Sequence, residues 1–165
     1  MSWLVTFILS LLMMLGFFLM LWSAVGFIQN KKFFSSAPKS IVEAVQPKPE
    51  RFKGQHIIGW ILMILSFVLL IGPVAYGVYD GVTREFGYWD FFVRFVIMTV
   101  SLKVFDILFF DLVLLCHSNF FPHFYPEVKD LVGPQNFGYN KWTHIIHIVV
   151  FVGISFLLAF IGTLF

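Results

Sequence analysis

Four side chains in the sequence could together hold a metal ion or a haem: Asp111, His117, His144 and His147. Imidazole and carboxylate groups are common ligands of zinc, iron and copper. His144 and His147 are three residues apart, so they share one face if the segment is an α-helix. Neither the H-E-x-x-H pattern of zinc proteases nor the Glu-x-x-His repeats of di-iron bundles occurs. These residues are therefore candidate metal ligands, and an interfacial polar cluster without a cofactor is the alternative.

A second set of charges lies within an apolar segment. Lys103 and Asp106 are three residues apart, which places them on one helical face as a buried charge pair or as part of a proton or ion relay. In an α-helix Asp111 is rotated by about 140° from Asp106. We therefore expect Asp111 to face a different neighbour, while His117 returns to the face of Asp106 and points inward.

The segment over residues 118–141 holds the remaining candidates, His123, Tyr125 and Glu127. It combines three prolines and two glycines with six aromatic residues. Disordered linkers are poor in aromatics, so this loop should be ordered and folded back onto the helix ends. It is either a lid over a site or a cap whose aromatic rings lie at the membrane surface.

The composition indicates which elements position these side chains. Of the 165 residues 59% are hydrophobic and 12% are charged, whereas about a quarter of a soluble domain is charged. A single domain of this length has no core large enough for so many apolar side chains, so they must face lipid. The sole cysteine, Cys116, cannot form an intrachain disulfide. No basic surface with interleaved aromatics indicates nucleic-acid binding.

Four segments are long and apolar enough to cross a bilayer, which takes about 20 residues. They cover about 3–28, 57–78, 91–117 and 142–165. No Lys or Arg precedes the first segment, so we interpret it as a retained helix rather than a signal peptide. Arg94 lies about one turn inside the third segment, where we expect it to reach the interface and pair with Asp90. The predicted fold is an all-α bundle of four transmembrane helices.

The basic residues of the loops predict the orientation of this bundle. Six Lys or Arg lie in the loop over 29–56 and two in the loop over 118–141, but only Arg84 lies in the intervening loop. Because cytoplasmic loops are enriched in Lys and Arg, the first and third loops should be cytoplasmic and both termini outside.

Two classes of function fit this topology. The first is a non-catalytic accessory, assembly or small-molecule-binding protein that contacts the bilayer and another membrane protein or a second copy of itself. The second is a membrane enzyme or redox protein with a transition metal or haem at the cytoplasm-facing His and Asp residues. A proton-coupled carrier through Lys103 and Asp106 is a third hypothesis, although four helices seldom form an alternating-access core alone.

Overall fold

The computed structural model describes residues 2–34 and 37–165, and within these ranges all regular elements are helical and no strand is present. Residues 35 and 36, which belong to the predicted first loop, lie outside the described residues. The α-helices are α1 (Trp3–Trp22), α2 (Lys39–Ala44), α3 (Gln55–Thr83), α4 (Tyr88–Phe105), α5 (Phe120–Phe124) and α6 (Lys141–Gly162). Short 3-10 turns cover Lys31–Phe34, Pro126–Val128 and Pro134–Asn136.

Three helices have the length and composition needed to cross a membrane: Trp3–Ile28, Gln55–Thr83 and Lys141–Gly162. They correspond to the first, second and fourth predicted segments. The second is longer than predicted, because α3 begins at Gln55 and continues through Pro73 to Thr83. A fourth long helix covers 88–115 and is less uniformly apolar, since it includes Arg94 and Lys103.

Two of the long helices change from α to π geometry along their length. The first π-helical segment, Ser23–Ile28, follows α1, and the second, Asp106–Leu115, follows α4. A π-helix bonds residue i to residue i+5, so side chains five positions apart lie roughly one turn apart. The expectation that Asp106 and Asp111 point in different directions assumed an α-helix and is wrong for this reason.

The chain divides into two compact units. The first unit consists of residues 2–17, Phe67–Phe105 and Asn140–Phe165. Segments of four helices share its core, which is built from buried side chains of α1, α4 and α6 together with partly buried apolar residues of α3. Helices α4 and α6 are joined by a buried hydrogen bond of 3.2 Å between the Thr99 and Ser155 hydroxyls.

Phe91 is the point of closest packing in this first unit. Its side chain is 1% exposed and lies against Gly81 of α3 and Gly162 of α6. A Cβ atom at Gly162 would lie 2.8 Å from Phe91 Cε1, and one at Gly81 would overlap the ring more severely. Packing therefore requires glycine at both positions, because the Phe91 ring occupies the space that an alanine methyl group would fill.

The charges at the end of α3 form a buried network. Arg94 is fully buried and donates to Asp80 Oδ2 at 2.7 Å and to the Gly77 carbonyl oxygen at 2.8 Å. Its guanidinium also lies 4.5 Å from the centre of the Phe86 ring. Arg84 donates to the other Asp80 oxygen at 2.8 Å. The expected pairing of Arg94 with the exposed Asp90 is thus wrong, because Asp80 on the preceding helix provides a buried partner.

The second unit, Phe18–Ser66 and Asp106–Tyr139, joins the first and third loops in one core. Ile41 and Val45 of the first loop pack with Tyr125 and Val128 of the third, and all four side chains are at most 1% exposed. The prediction that the third loop is ordered is confirmed by this packing. Burial of Tyr125 also raises the pKa of its phenol, with a smaller contribution from the charge of Glu127.

Candidate functional site

The candidate functional site is an open groove of about 490 Å³ within the second unit. Its lining comes from α1 and from the region of α5, namely Phe18, Trp22, Asn119, Phe120, His123 and Phe124. Small-molecule sites typically have volumes of about 300–1,000 Å³, with mainly apolar walls and a few polar groups. The groove has a volume in this range, and four aromatic rings accompany one amide and one imidazole, but it is open to one side and would leave part of a ligand exposed.

The α1 wall is held by contacts between aromatic rings. Phe18 and Trp22, one helical turn apart, have ring centres 5.9 Å apart, and Phe18 makes an edge contact of 5.8 Å with Phe109 of the second π-helical segment. Gly26 then allows the two walls to approach. A Cβ at this position would lie 2.8 Å from Trp22 Cδ1 and 3.3 Å from Phe124 Cζ.

The α5 wall is fixed to the end of the second π-helical segment by Ser118. The Ser118 hydroxyl donates to the Leu114 carbonyl oxygen at 2.8 Å and accepts the Phe120 N–H at 3.1 Å. Phe124 then makes edge contacts with Phe120 at 5.4 Å and His123 at 4.8 Å between ring centres. The three rings of this wall are therefore fixed relative to one another.

Behind this wall, the third loop is bound to the first by an ion pair. Lys48 Nζ lies 2.8 Å from Glu127 Oε2, and the Gln46 N–H donates to Glu127 Oε1 at 3.3 Å. Partial burial acts to raise the pKa of Glu127, but the hydrogen bonds from Lys48, its own N–H and Gln46 together lower it. The carboxylate therefore stays ionised and holds the two loops together at neutral pH.

Arg51 is fixed beside the groove by the end of the first π-helical segment. Its Nη2 donates to the Gly26 carbonyl oxygen at 2.6 Å, and its Nε donates to Gln55 Oε1 at 3.1 Å. Gln55, fully buried, in turn donates to the Phe27 carbonyl oxygen at 2.8 Å. The guanidinium carbon lies 5.7 Å from the centre of the Phe124 ring. A cation is thus held in a defined position next to a lining residue.

The predicted metal ligands have different environments. His144 is buried, whereas His147 is exposed and stacks on Phe151 with ring centres 6.3 Å apart. His117 is exposed and donates from Nδ1 to the Leu112 carbonyl oxygen at 2.7 Å, so it does not point inward as expected. Within residues 2–34 and 37–165 no three His, Cys, Asp or Glu side chains are grouped to hold a metal ion. The metal site stays a prediction.

The predicted charge pair also includes residues of different environments. Lys103 is buried, and Asp106 and Asp111 are half-buried; each of the three has at least one interaction partner. Burial, followed by the charges of Asp111 and Asp106, raises the pKa of Tyr139. Both carboxylates therefore act on the same phenol, as expected from a π-helix that brings them to one side. The Lys103–Asp106 pairing stays a prediction.

The three predicted lid residues have separate roles. His123 lines the groove, Tyr125 is buried in the loop core, and Glu127 binds Lys48. In this arrangement His123 forms part of one wall of the groove, and the lid stays a prediction. Sequence reasoning missed Phe18, Trp22 and Arg51. Apolar residues of a candidate span, and basic residues of a loop, have the same pattern whether or not they lie at a site.

Comparison with known proteins gives no assignment: no family model, no curated protein and no solved structure shows significant similarity to this chain. The function must therefore be inferred from the site.

Proposed function

We propose that this protein is a four-span membrane protein that binds a small amphipathic molecule in the aromatic groove and does not act on it chemically. The first and third loops are cytoplasmic and both termini are outside. The observation that carries this proposal is the groove itself, which combines aromatic walls, two polar side chains and a volume suited to a small molecule.

The membrane part of the proposal is supported by the three candidate spans and by the first unit. Segments of four helices, including α4, share that unit's core. The charged residues of α4 keep it from being identified as a membrane span by composition alone. Burial of Arg94 against Asp80 supports α4 as a span, because a charge within the bilayer must face protein and find a partner. The basic loops supply the orientation.

Binding without catalysis is favoured by the chemistry of the lining. Asn119 and His123 are the polar side chains of the groove, and neither the sole cysteine nor a carboxylate is among its lining residues. Aromatic rings and an amide provide contact area and orientation. A metal- or haem-dependent enzyme is the alternative proposal; among the described residues no three His, Cys, Asp or Glu side chains are grouped to hold a metal ion.

The groove is tested by photolabelling in liposomes with a palmitate analogue that bears a diazirine in its chain. We expect labelled peptides to be enriched at Trp22 and over Phe120–Phe124, and enrichment to fall in Phe120→Ala. Phe67→Ala is the matched control, since Phe67 is a 49% exposed phenylalanine of a candidate span outside the groove. Equal labelling along every lipid-facing surface, unchanged by Phe120→Ala, would refute ligand binding at this site.

The orientation is tested separately with a cysteine at Lys53, an exposed position of the first loop. In a Cys116→Ser background, Lys53→Cys should resist a membrane-impermeant maleimide in intact cells and react after permeabilisation. Rapid labelling of intact cells would reverse the proposed orientation and leave the groove proposal unaffected.

A further inference from the structure

We infer that the ligand of the groove is a membrane phospholipid with an anionic headgroup, one of whose acyl chains lies along Phe18 and Trp22 while its phosphate is bound by Arg51. This inference rests on the proposed function and specifies the class of ligand. It follows from the depth of the groove, from the position of the cation and from the pairing of nearby charges.

The depth of the groove indicates a ligand that enters from the bilayer. Trp22 and Phe18 precede Ile28, the last residue of the first candidate span, by six and ten residues. An α-helix rises about 1.5 Å per residue, and the π-helical Ser23–Ile28 segment rises less, so they lie up to about 9 and 15 Å inside the end of the span. The α5 side chains line the other part of the same groove. A chain-bearing lipid can occupy both parts at once, whereas a small water-soluble ion would leave the aromatic wall unused.

Arg51 provides the group that would bind a phosphate. It is exposed, and its guanidinium is already oriented by Gly26 and Gln55 beside the Phe124 ring. In the part of the chain that the structure describes, no carboxylate lies within salt-bridge distance of Arg51, and its Nη1 has no acceptor. Guanidinium groups bind phosphate oxygens by directed, charge-assisted hydrogen bonds. The fixed orientation reduces the entropy lost on binding.

The neighbouring charges favour an anionic over a zwitterionic headgroup. Glu127 is bound by Lys48, and Glu50 accepts the backbone N–H groups of His56 and Gly54 at 2.9 and 3.3 Å. Glu127 and Glu50 are thus already engaged, and the other two carboxylates of these loops, Glu43 and Asp130, are exposed. Among the described residues none of the four lies within salt-bridge distance of Arg51, so its positive charge has no carboxylate partner. The quaternary ammonium of a phosphatidylcholine would find a cation here, whereas a phosphatidylglycerol brings only negative charge.

The test measures lipid affinity by native mass spectrometry of the protein released from detergent micelles, with phosphatidylglycerol and phosphatidylcholine of identical acyl chains. We expect the wild-type protein to prefer phosphatidylglycerol. Arg51→Gln should weaken phosphatidylglycerol binding about fivefold, as expected for one basic residue near an anionic headgroup, and should weaken phosphatidylcholine less, because its ammonium group offsets the attraction of its phosphate to Arg51. Lys53→Gln is the control, because it removes the same charge from an exposed position two residues away.

Two further measurements separate this inference from the proposed function. Phe120→Ala should weaken both lipids equally, because it shortens the wall for the chain and retains Arg51. Equal wild-type affinity for both lipids, together with a loss of both in Phe120→Ala, would overturn the anionic headgroup and retain the groove. Failure of Phe120→Ala to weaken either lipid would instead reject the groove as the binding site.

Arg51→Gln also removes hydrogen bonds to Gly26 and Gln55, so the wild-type protein provides a test that does not depend on this variant folding. The preference for phosphatidylglycerol should decrease when salt is raised to 1 M, where the screening length is about 3 Å. A preference that is unaffected by salt would overturn the role assigned to Arg51, as would a folded Arg51→Gln protein that retains it.

Discussion

Removal of Arg94 should destabilise the protein far more than removal of Arg84, although both side chains bind the same carboxylate. Arg94 is fully buried and lies 2.7 Å from Asp80, whereas the Arg84 side chain is 51% exposed at 2.8 Å from it. Removing one partner of a buried ion pair typically costs about 3–5 kcal/mol, because the other charge stays buried without compensation. An exposed pair contributes about 0–1 kcal/mol.

Arg94→Met should therefore lower the free energy of unfolding by about 3–5 kcal/mol, because Asp80 is 7% exposed and retains only Arg84 as its partner. Arg84→Gln should cost no more than about 1 kcal/mol. The double variant Asp80→Leu with Arg94→Met removes both charges, and it should be more stable than Arg94→Met alone, since apolar replacement of a whole buried pair is often close to neutral.

These variants are compared by fluorescence-monitored unfolding in mixed micelles of a mild detergent and dodecyl sulfate, with the helical content checked first by circular dichroism. A double-mutant cycle of wild type, Asp80→Leu, Arg94→Met and the double variant isolates the coupling energy between Asp80 and Arg94. Equal costs for Arg94→Met and Arg84→Gln would show that burial does not distinguish the two pairs. A double variant destabilised by the sum of the single effects would show that Asp80 and Arg94 do not interact.

Three smaller effects can be measured in the same unfolding assay. Gly81→Ala should cost about 1–3 kcal/mol by overpacking against Phe91, whereas Gly153→Ala, with open space around its Cβ, should be neutral or stabilising; equal effects would contradict the packing argument. Thr99→Val should cost about 0.6 kcal/mol, the average for a hydrogen bond between membrane helices, and a loss as large as that of Arg94→Met would contradict it. Glu127→Gln should cost at most about 1 kcal/mol at pH 7, because the Lys48 and Glu127 side chains are 29% and 25% exposed. The folded-state pKa of Glu127 is lowered from 4.5, so its contribution is present above that pH and is lost as the pH falls through the folded-state pKa. The difference between wild type and Glu127→Gln should accordingly vanish in acid, and a difference that grows in acid would reverse the assigned sign.

Hydropathy alone identifies three long helices, because a long apolar helix with few charges is stable in lipid or in the core of a large protein and not in water. The partner of Arg94 was not predictable in the same way. Asp90 lies one helical turn away in sequence, and Asp80 is fourteen residues away on another helix. The i, i+4 spacing in sequence predicts Asp90 as the partner of Arg94, whereas in the folded protein Arg94 pairs with the buried Asp80. Pairing across helices is a property of packing, which one sequence does not specify.

The candidate site was predictable only in part. The aromatic content of the third loop correctly indicates that it is ordered, and His123 lies in the groove. The expected direction of Asp111 was wrong because it depended on 100° per residue, and the change to π geometry at Asp106 leaves no clear mark in the sequence. Phe18 and Trp22 could not be separated from lipid-facing residues, since their neighbours along α1 are also apolar.

The two π-helical segments, Ser23–Ile28 and Asp106–Leu115, hold side chains that lie at the proposed groove. Carbonyl groups at the end of a helix need hydrogen-bond donors, and within a membrane protein these donors must come from the protein or from trapped water. Near the end of the first segment, the Gly26 carbonyl oxygen accepts a hydrogen bond from Arg51, and the Phe27 carbonyl oxygen accepts one from Gln55. This explains why the Arg51 guanidinium is held next to the first π-helical segment.

Near the end of the second segment, the Leu112 carbonyl oxygen accepts a hydrogen bond from His117, and the Leu114 carbonyl oxygen accepts one from Ser118. The hydrogen bond from His117 Nδ1 thus satisfies a carbonyl of the helix, and the role of His117 as a metal ligand stays a prediction. Ser118 also starts the α5 wall by accepting the Phe120 N–H. The side chains that cap the two segments thus place both the Arg51 guanidinium and the α5 wall of the groove. A substitution that restores α geometry in either segment should therefore weaken the proposed lipid binding and leave the packing around Phe91 unchanged.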